Sequence, residues 1–265
     1  MIGILQGRLT YTKKKLQWFP KDPLKEFPIA KKLKYNFIEF FAEKNINKKN
    51  PIWSDDGIRN YNKYTRKNNL LIYSFCDDYY ITNDLSKKET FNYALKILKR
   101  VHLLKIKKYI IPLYGKSFLL PRNKKGILKN ISRISKICSN YKIELLLESN
   151  MSPQTFMDLK EKICHKNCYF LFDTGNRIVL QRNFEKDIML FGKDIKHIHL
   201  KDKDYLKKNV IIGNGLMNFD LLFSYLKKIN YKGNFTIESQ RGNDILKQSK
   251  KNYNFFKNLI KKHKL

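Results

Sequence analysis

Short apolar runs recur along the chain, separated by longer amphipathic or lysine-rich segments. In order they are IGIL (2–5), FIEFF (37–41), LLIYSF (70–75), YIIPLY (109–114), IELLLE (143–148), YFLFD (169–173), IKHIHL (195–200) and FTIE (235–238). Each has the length and the β-branched or aromatic content of a strand. The segments between them are of helix length, and chemistry marks several starts: Asp22-Pro23, Ser86 with Glu89 three residues on, Ser152-Pro153, and Asn218. Pro28 falls inside the first helical segment and predicts a kink or a late start there. Eight alternations of strand and helix without a Gly/Ser/Pro-rich linker predict an α/β fold, a single (β/α)8 TIM barrel occupying residues 1–265 as one domain.

Alternation within the runs assigns their faces. Ile198 and Leu200 oppose His197 and His199; Leu145 and Leu147 oppose Glu144, Leu146 and Glu148; Phe235 and Ile237 oppose Thr236 and Glu238. The first set in each case packs on helices and the second faces the barrel interior. Four polar residues then fall where successive strands stop: Glu148, Asp173, His199 and Glu238. Active sites of such barrels lie at the C-terminal strand ends. Two glutamates, an aspartate and a histidine brought together there make a divalent-metal site with acid/base groups attached. Any one of these carboxylates alone would be as well explained by a cap or a salt bridge.

Composition changes the picture in two ways. The formal charge of +32 raises a nucleic-acid partner. The lysines, however, are spread over nearly every helical segment beside abundant Asn and Ile, so solvated helix faces account for them and no specific nucleic-acid partner is expected. No apolar stretch reaches the length of a membrane span, and MIGILQGRLT lacks the basic head and long apolar segment of a signal peptide, which predicts a cytoplasmic protein with no membrane partner. Cys76, Cys138, Cys164 and Cys168 have neither disulfide-scaffold density nor paired zinc spacing and read as structural thiols.

At IGILQGRL, FIEFF, ELLLESN, LFDTGN, HIHLKDKD, GNGLMNFD and GNFTIESQRG the sequence resembles the xylose-isomerase-like TIM-barrel superfamily of sugar and sugar-phosphate isomerases and epimerases. The resemblance implies a divalent cation, Mn²⁺, Mg²⁺ or Co²⁺, held by Glu148, Asp173, His199 and Glu238. It also implies that Glu148 and Glu238 move protons on opposite faces of a small sugar, keto-sugar or sugar phosphate; relatives often form dimers or tetramers, which leaves a homo-oligomer open for this chain. One departure stands at Asn176, where many relatives carry a histidine that contacts substrate; Asn hydrogen-bonds a hydroxyl but is no cation or comparable proton donor.

Further residues are placed by position. Gln6 and Arg8 follow the first strand and reach toward the pocket, although Arg8 equally suits the barrel rim. Glu39 lies on the interior face of the second strand, where it would orient a substrate hydroxyl. Lys201, Lys203 and Arg241 follow metal-bearing strands and suit a phosphate or carboxylate, Arg241 most of the three. His197 lies deeper than His199 and is assigned to packing, and Glu144, at the start of its strand, to an ion pair at the opposite barrel end. Trp18, Phe75 and Tyr114 are candidate pocket walls with aromatic packing as their default role. Gly213-Asn214-Gly215 lacks the third glycine of a nucleotide loop and reads as a turn. A metal-dependent isomerase or epimerase is the leading expectation. A dehydratase or lyase on a polyol ketone shares the same apparatus. A DNA-repair enzyme resembling endonuclease IV is disfavoured, since that site needs three zinc ions and the chain has five histidines in all.

Overall fold

The parallel strands Ile2–Leu5, Asn234–Ile237, Ile195–Leu200, Cys168–Asp173, Glu144–Glu148, Lys108–Pro112, Leu71–Asp77 and Phe37–Ala42 are neighbours in that order and close into a TIM barrel. The computed structural model describes residues 1–11, 19–163, 165–180 and 183–265; Trp18 and Cys164 lie outside the described residues. Strand positions follow the apolar runs, and those at Ile2–Leu5 and Ile195–Leu200 match to the residue. The third strand runs on to Asp77, beyond its expected end at 75.

The chain divides into two compact units, residues 1–38 with 170–265, and residues 39–169. In the first, register pairs Ile4 with Ile237, Ile237 with Leu200, and Asp173 with His199. Phe223 of the helix Phe219–Lys228 stacks on the strand residue Phe235 at 5.2 Å. Arg177 is buried with its guanidinium bonded to Asp187 and 5.4–5.8 Å from the ring centres of Phe170, Phe172 and Phe191. A buried guanidinium needs such a partner, because removing one member of a buried pair costs about 3–5 kcal/mol.

In the second unit, register pairs Phe75 with Tyr109, Lys108 with Glu144, and Pro112 with Glu148. Lys108 Nζ lies 3.4 Å from the Glu144 carboxylate at the strand starts, the ion pair expected there. Asp77 is fully buried and accepts hydrogen bonds from the Tyr93 and Tyr109 hydroxyls, and Tyr80 bonds to Tyr109 in turn. Burial pushes its carboxyl up to about 7, against the pull of those bonds.

Helix starts followed local chemistry in some places only. Ser152 caps Pro153–Lys162 by accepting from Thr155 N at 3.1 Å, and Asn218 caps Phe219–Lys228 through Leu221 N at 3.0 Å. The Ser86–Glu89 capping box does not form: the helix is Lys88–Leu103, Lys87 stands at its cap, and Ser86 instead donates its backbone N–H to Asp84. Asp22-Pro23 opens a single 3-10 turn, and the α-helix starts late, at Glu26, leaving Pro28 in its first turn where no intrahelical donor is lost. A short antiparallel pair, Asp202–Lys203 with Asn209–Val210, was not anticipated. The segment after the second of these strands folds back on the buried Asp202 carboxylate, which accepts from the N–H groups of Gly213, Gly215 and Met217.

Candidate active site

Three adjacent strand ends of the first unit bring together Asp173, His199 and Glu238, all buried. Asp173 ends its strand and caps the helix Thr174–Ile178, its Oδ1 accepting from Asn176 N at 2.7 Å. That bond fixes the carboxylate and leaves Oδ2 facing the cluster. His199 shares a strand face with His197, as period two requires. His197 Nε2 is 2.8 Å from Thr236 Oγ1 and its ring sits 6.2 Å from Phe37, a packing role as read from sequence. Glu238 lies one residue past its strand, and its N–H still donates to Leu200 O at 3.1 Å, continuing the ladder.

The distances define a charged cluster. His199 Nδ1 is 3.0 Å from Glu238 Oε2 and 4.0 Å from Asp173 Oδ2. Lys201 Nζ lies 2.9 Å from Asp173 Oδ2 and 2.8 Å from Glu238 Oε1, and Arg8 approaches Glu238 Oε1 at 3.8 Å. Burial alone would push the Glu238 carboxyl up; the Lys201 ammonium, then His199, then Arg8 overcome it and hold the group well below the usual carboxylate range. The donors are those a hard divalent ion takes, and a cation already stands between the two carboxylates, so the residues fit a metal.

Beside this cluster the loop after the first strand is held from two sides. Gly7 has φ +81°, a backbone open to glycine at little cost. Its N–H donates to buried Glu26 at 2.6 Å, Leu9 N donates to the same carboxylate at 3.0 Å, and its carbonyl accepts from Arg241 Nε at 2.8 Å. Burial raises the Glu26 carboxyl, with the Gly7, Leu9 and Thr10 bonds and the Arg241 charge opposing. Burial, with Arg8 nearby, lowers Arg241 to about 10, still a cation at neutral pH. Arg241 therefore braces the loop, a use the sequence reading had not assigned it. Arg8 Nε donates to Ser239 O at 3.1 Å. Gln6 is 1% exposed, and neither its amide oxygen nor its amide nitrogen has a hydrogen-bond partner among the described residues. Lys203 Nζ donates to Asn176 Oδ1 at 2.9 Å, joining two predicted substrate contacts.

In the second unit Glu148 is buried at the end of its strand, and its carbonyl accepts from Leu113 N at 2.8 Å. Glu39 is buried and accepts from Ser74 Oγ at 2.5 Å. Phe75 stacks on Tyr109, its default role, and the Tyr114 hydroxyl is 3.4 Å from Asn150 Oδ1. A groove of about 700 Å³ lined by Trp53, Ile58 and surface cations holds none of the predicted residues. Of the remaining histidines, His102 stacks on Tyr141, His165 contacts Ser135 and His263 contacts Asp220, all structural. The described cysteines Cys76, Cys138 and Cys168 are free and buried. Glu26, Asp77 and Asp202 were missed; a carboxylate at or just after a strand end, in C-D-D and K-D-K, was the only signal for Asp77 and Asp202, and Glu26 had none.

Residues 27–259 match the xylose isomerase-like TIM barrel family, and the chain belongs to it. A protein of Methanocaldococcus jannaschii of uncharacterized role, MJ1311, is 28% identical over 128 residues, 44% of each chain. A protein of Haemophilus influenzae provisionally named L-ribulose-5-phosphate 3-epimerase SgbU is 37% identical over 73 residues, 25% of this chain and 26% of that one. The matched segments thus span less than half the length of these curated relatives. The structure of a D-psicose 3-epimerase with D-tagatose, from Clostridium cellulolyticum H10, superposes with TM-score 0.79 over 98% of this chain and 99% of that one at 15% identity. Among the described residues no helix is long and apolar enough to cross a membrane.

Proposed function

We propose that this chain is a divalent-metal-dependent isomerase or epimerase acting on a small keto-sugar or sugar phosphate, with Mn²⁺, Mg²⁺ or Co²⁺ held by Glu148, Asp173, His199 and Glu238. The observation that carries the reading is the buried convergence of Asp173, His199 and Glu238 around a cation. Glu148, Asp173 and His199 are side chains of the ligand type the ion requires. A likeness to a D-psicose 3-epimerase and to a provisional L-ribulose-5-phosphate 3-epimerase supports a ketose, with or without phosphate, as substrate.

When bound, the ion supplies positive charge beside the substrate oxygens. The chain's own residues do the rest. One of Glu148 and Glu238 takes the proton from the carbon next to the ketone, and the C–H electron pair moves into the carbonyl to give an enediolate. The other returns a proton to that carbon from the opposite face, inverting it. The Gln6 amide, buried with donor and acceptor unspent, offers a hydrogen-bond pair to a sugar hydroxyl or carbonyl. Arg8 and Lys203 supply positive charge toward an anionic substrate. Glu39 and Asn176 serve hydroxyls, and Arg241 acts by holding Gly7.

The test is a screen of ketoses and ketose phosphates with added Mn²⁺, followed by NMR in deuterated water. An isomer carrying deuterium at the inverted carbon is the expected product. A dehydrated product would reassign the chain to a lyase, and the absence of exchange with every ketose would overturn the proposal.

A further inference from the structure

We infer that Lys201 is a built-in counter-cation that occupies the place of the divalent ion between Asp173 and Glu238, so that metal uptake requires this lysine to withdraw. The inference rests on the metal reading above and concerns what this chain adds to it.

Three observations in the first unit carry it. The Lys201 ammonium bridges the two carboxylates at 2.9 and 2.8 Å, and its side chain is only 11% exposed. Its backbone is clamped to the residue after Asp173: Lys201 N donates to Thr174 Oγ1 at 2.8 Å, and the Thr174 hydroxyl donates back to the Lys201 carbonyl. Its stem lies across Gly175, where an added Cβ would meet Lys201 Cγ at 2.9 Å and Cβ and Cδ at 3.1 Å. Backbone, stem and head are therefore each provided for.

The charge arrangement explains why a lysine suits the position. Two buried carboxylates face each other across His199 and would repel if left without a cation. Lys201, with Arg8 at 3.8 Å from Glu238, neutralises the pair formally. A divalent ion on the same two oxygens cannot coexist with an ammonium at hydrogen-bond distance from both. Lysine, a compact charge on a flexible four-carbon stem, can swing away where a planar, bidentate arginine would stay locked. The apparent metal affinity is then lowered by the fraction of molecules in which the lysine is withdrawn.

Calorimetric titration with MnCl₂ tests this on the wild type, Lys201→Met, Gly175→Ala and Asp173→Asn, each checked for fold by circular dichroism. Lys201→Met is expected to bind Mn²⁺ roughly tenfold more tightly than the wild type. In the metal-free state it should melt about 5 °C lower, and regain more than the wild type does at saturating Mn²⁺. Gly175→Ala crowds the stem while keeping the charge, and is expected to tighten binding in the same direction by a smaller factor. Asp173→Asn is expected to lose Mn²⁺ binding. If Asp173→Asn loses the ion while Lys201→Met and Gly175→Ala bind no more tightly than wild type, the lysine is not the competitor and the inference is overturned. If Asp173→Asn binds Mn²⁺ as the wild type does, or no protein binds it, the metal reading itself fails.

Discussion

Replacing Gln6 by Met tests whether an amide is being kept in an unfavourable state for the sake of a ligand. Gln6 is 1% exposed, and both polar atoms of its amide lack a partner among the described residues. Leaving a buried donor or acceptor unsatisfied costs about 1–3 kcal/mol per group. Two such groups give a cost of about 2–6 kcal/mol, of which a water reaching the amide recovers part. Methionine has nearly the same length and volume, and misfit on a volume-conserving swap costs under about 1.5 kcal/mol. The net expectation is stabilisation by about 2 kcal/mol, which in a chain of this size raises Tm by roughly 4–8 °C. The same change removes the hydrogen bonds proposed for the substrate, each worth about 0.5–1.5 kcal/mol, so KM should rise roughly tenfold. Urea and thermal unfolding without ligand measure the first effect; initial rates on a turned-over ketose measure the second. A variant no more stable than wild type, with KM unchanged, would refute the reasoning, since the amide would then be neither strained nor used.

Four further outcomes are expected. Asp173→Ala and His199→Ala should lower Mn²⁺ content measured by elemental analysis while circular dichroism stays native; unchanged metal in both would remove the proposed site. Glu148→Gln and Glu238→Gln should each depress turnover by about a hundredfold, the loss expected for a general base, in the same NMR assay. Asp77, raised to about 7 in the folded chain, keeps its proton there at pH values where the unfolded chain has lost it. Its contribution is complete below about pH 4 and lost as pH rises through 7, roughly 4 kcal/mol in all, so wild type should lose that much relative to Asp77→Asn in urea unfolding across this window. A flat difference would mean the buried carboxyl is already ionised. Arg241→Ala should raise KM equally for a sugar and its phosphate, because Arg241 holds the Gly7 carbonyl; a selective loss on the phosphate would make it a phosphate reader instead.

Strands were legible because burial on both faces leaves a run of apolar residues, and a run is a local signal. The same pattern located Asp173 and His199, which the register then sets side by side. Helix starts were less so. Ser86 and Glu89 have the spacing of a capping box, yet Ser86 is tied to Asp84 and the helix begins two residues later, so a local preference lost to a neighbouring turn. The carboxylates that organise loops were scarcely legible. Glu26 organises Gly7, Leu9 and Thr10, and Asp202 organises Gly213, Gly215 and Met217, through bonds set by the folded loop path. Arg241 was preferred over Lys201 and Lys203 as an anion-binding group, and its residue type was informative; its partner, a backbone carbonyl far away in sequence, could not be read from the chain.

Lys201 shows most clearly where composition misleads. In a chain with 55 Lys and Arg against 23 Asp and Glu, one more lysine carries no signal, and the excess invites reading the site as a cationic basin. Buried charge obeys a different rule, because an ion taken from water must be paired. Accordingly Arg8 and Lys201 meet Glu238, Lys201 also meets Asp173, Arg177 meets Asp187, and Lys108 meets Glu144. Each of these buried cations has a carboxylate beside it, and among the described residues every lysine other than Lys108 and Lys201 is exposed or half-buried. Surface charge acts on anions at a distance and is screened within about 8 Å at physiological ionic strength. Added salt should therefore slow the arrival of a phosphorylated substrate and weaken any polyanion bound outside. It should leave the Lys201 bridge, and whatever competes with it, nearly unchanged.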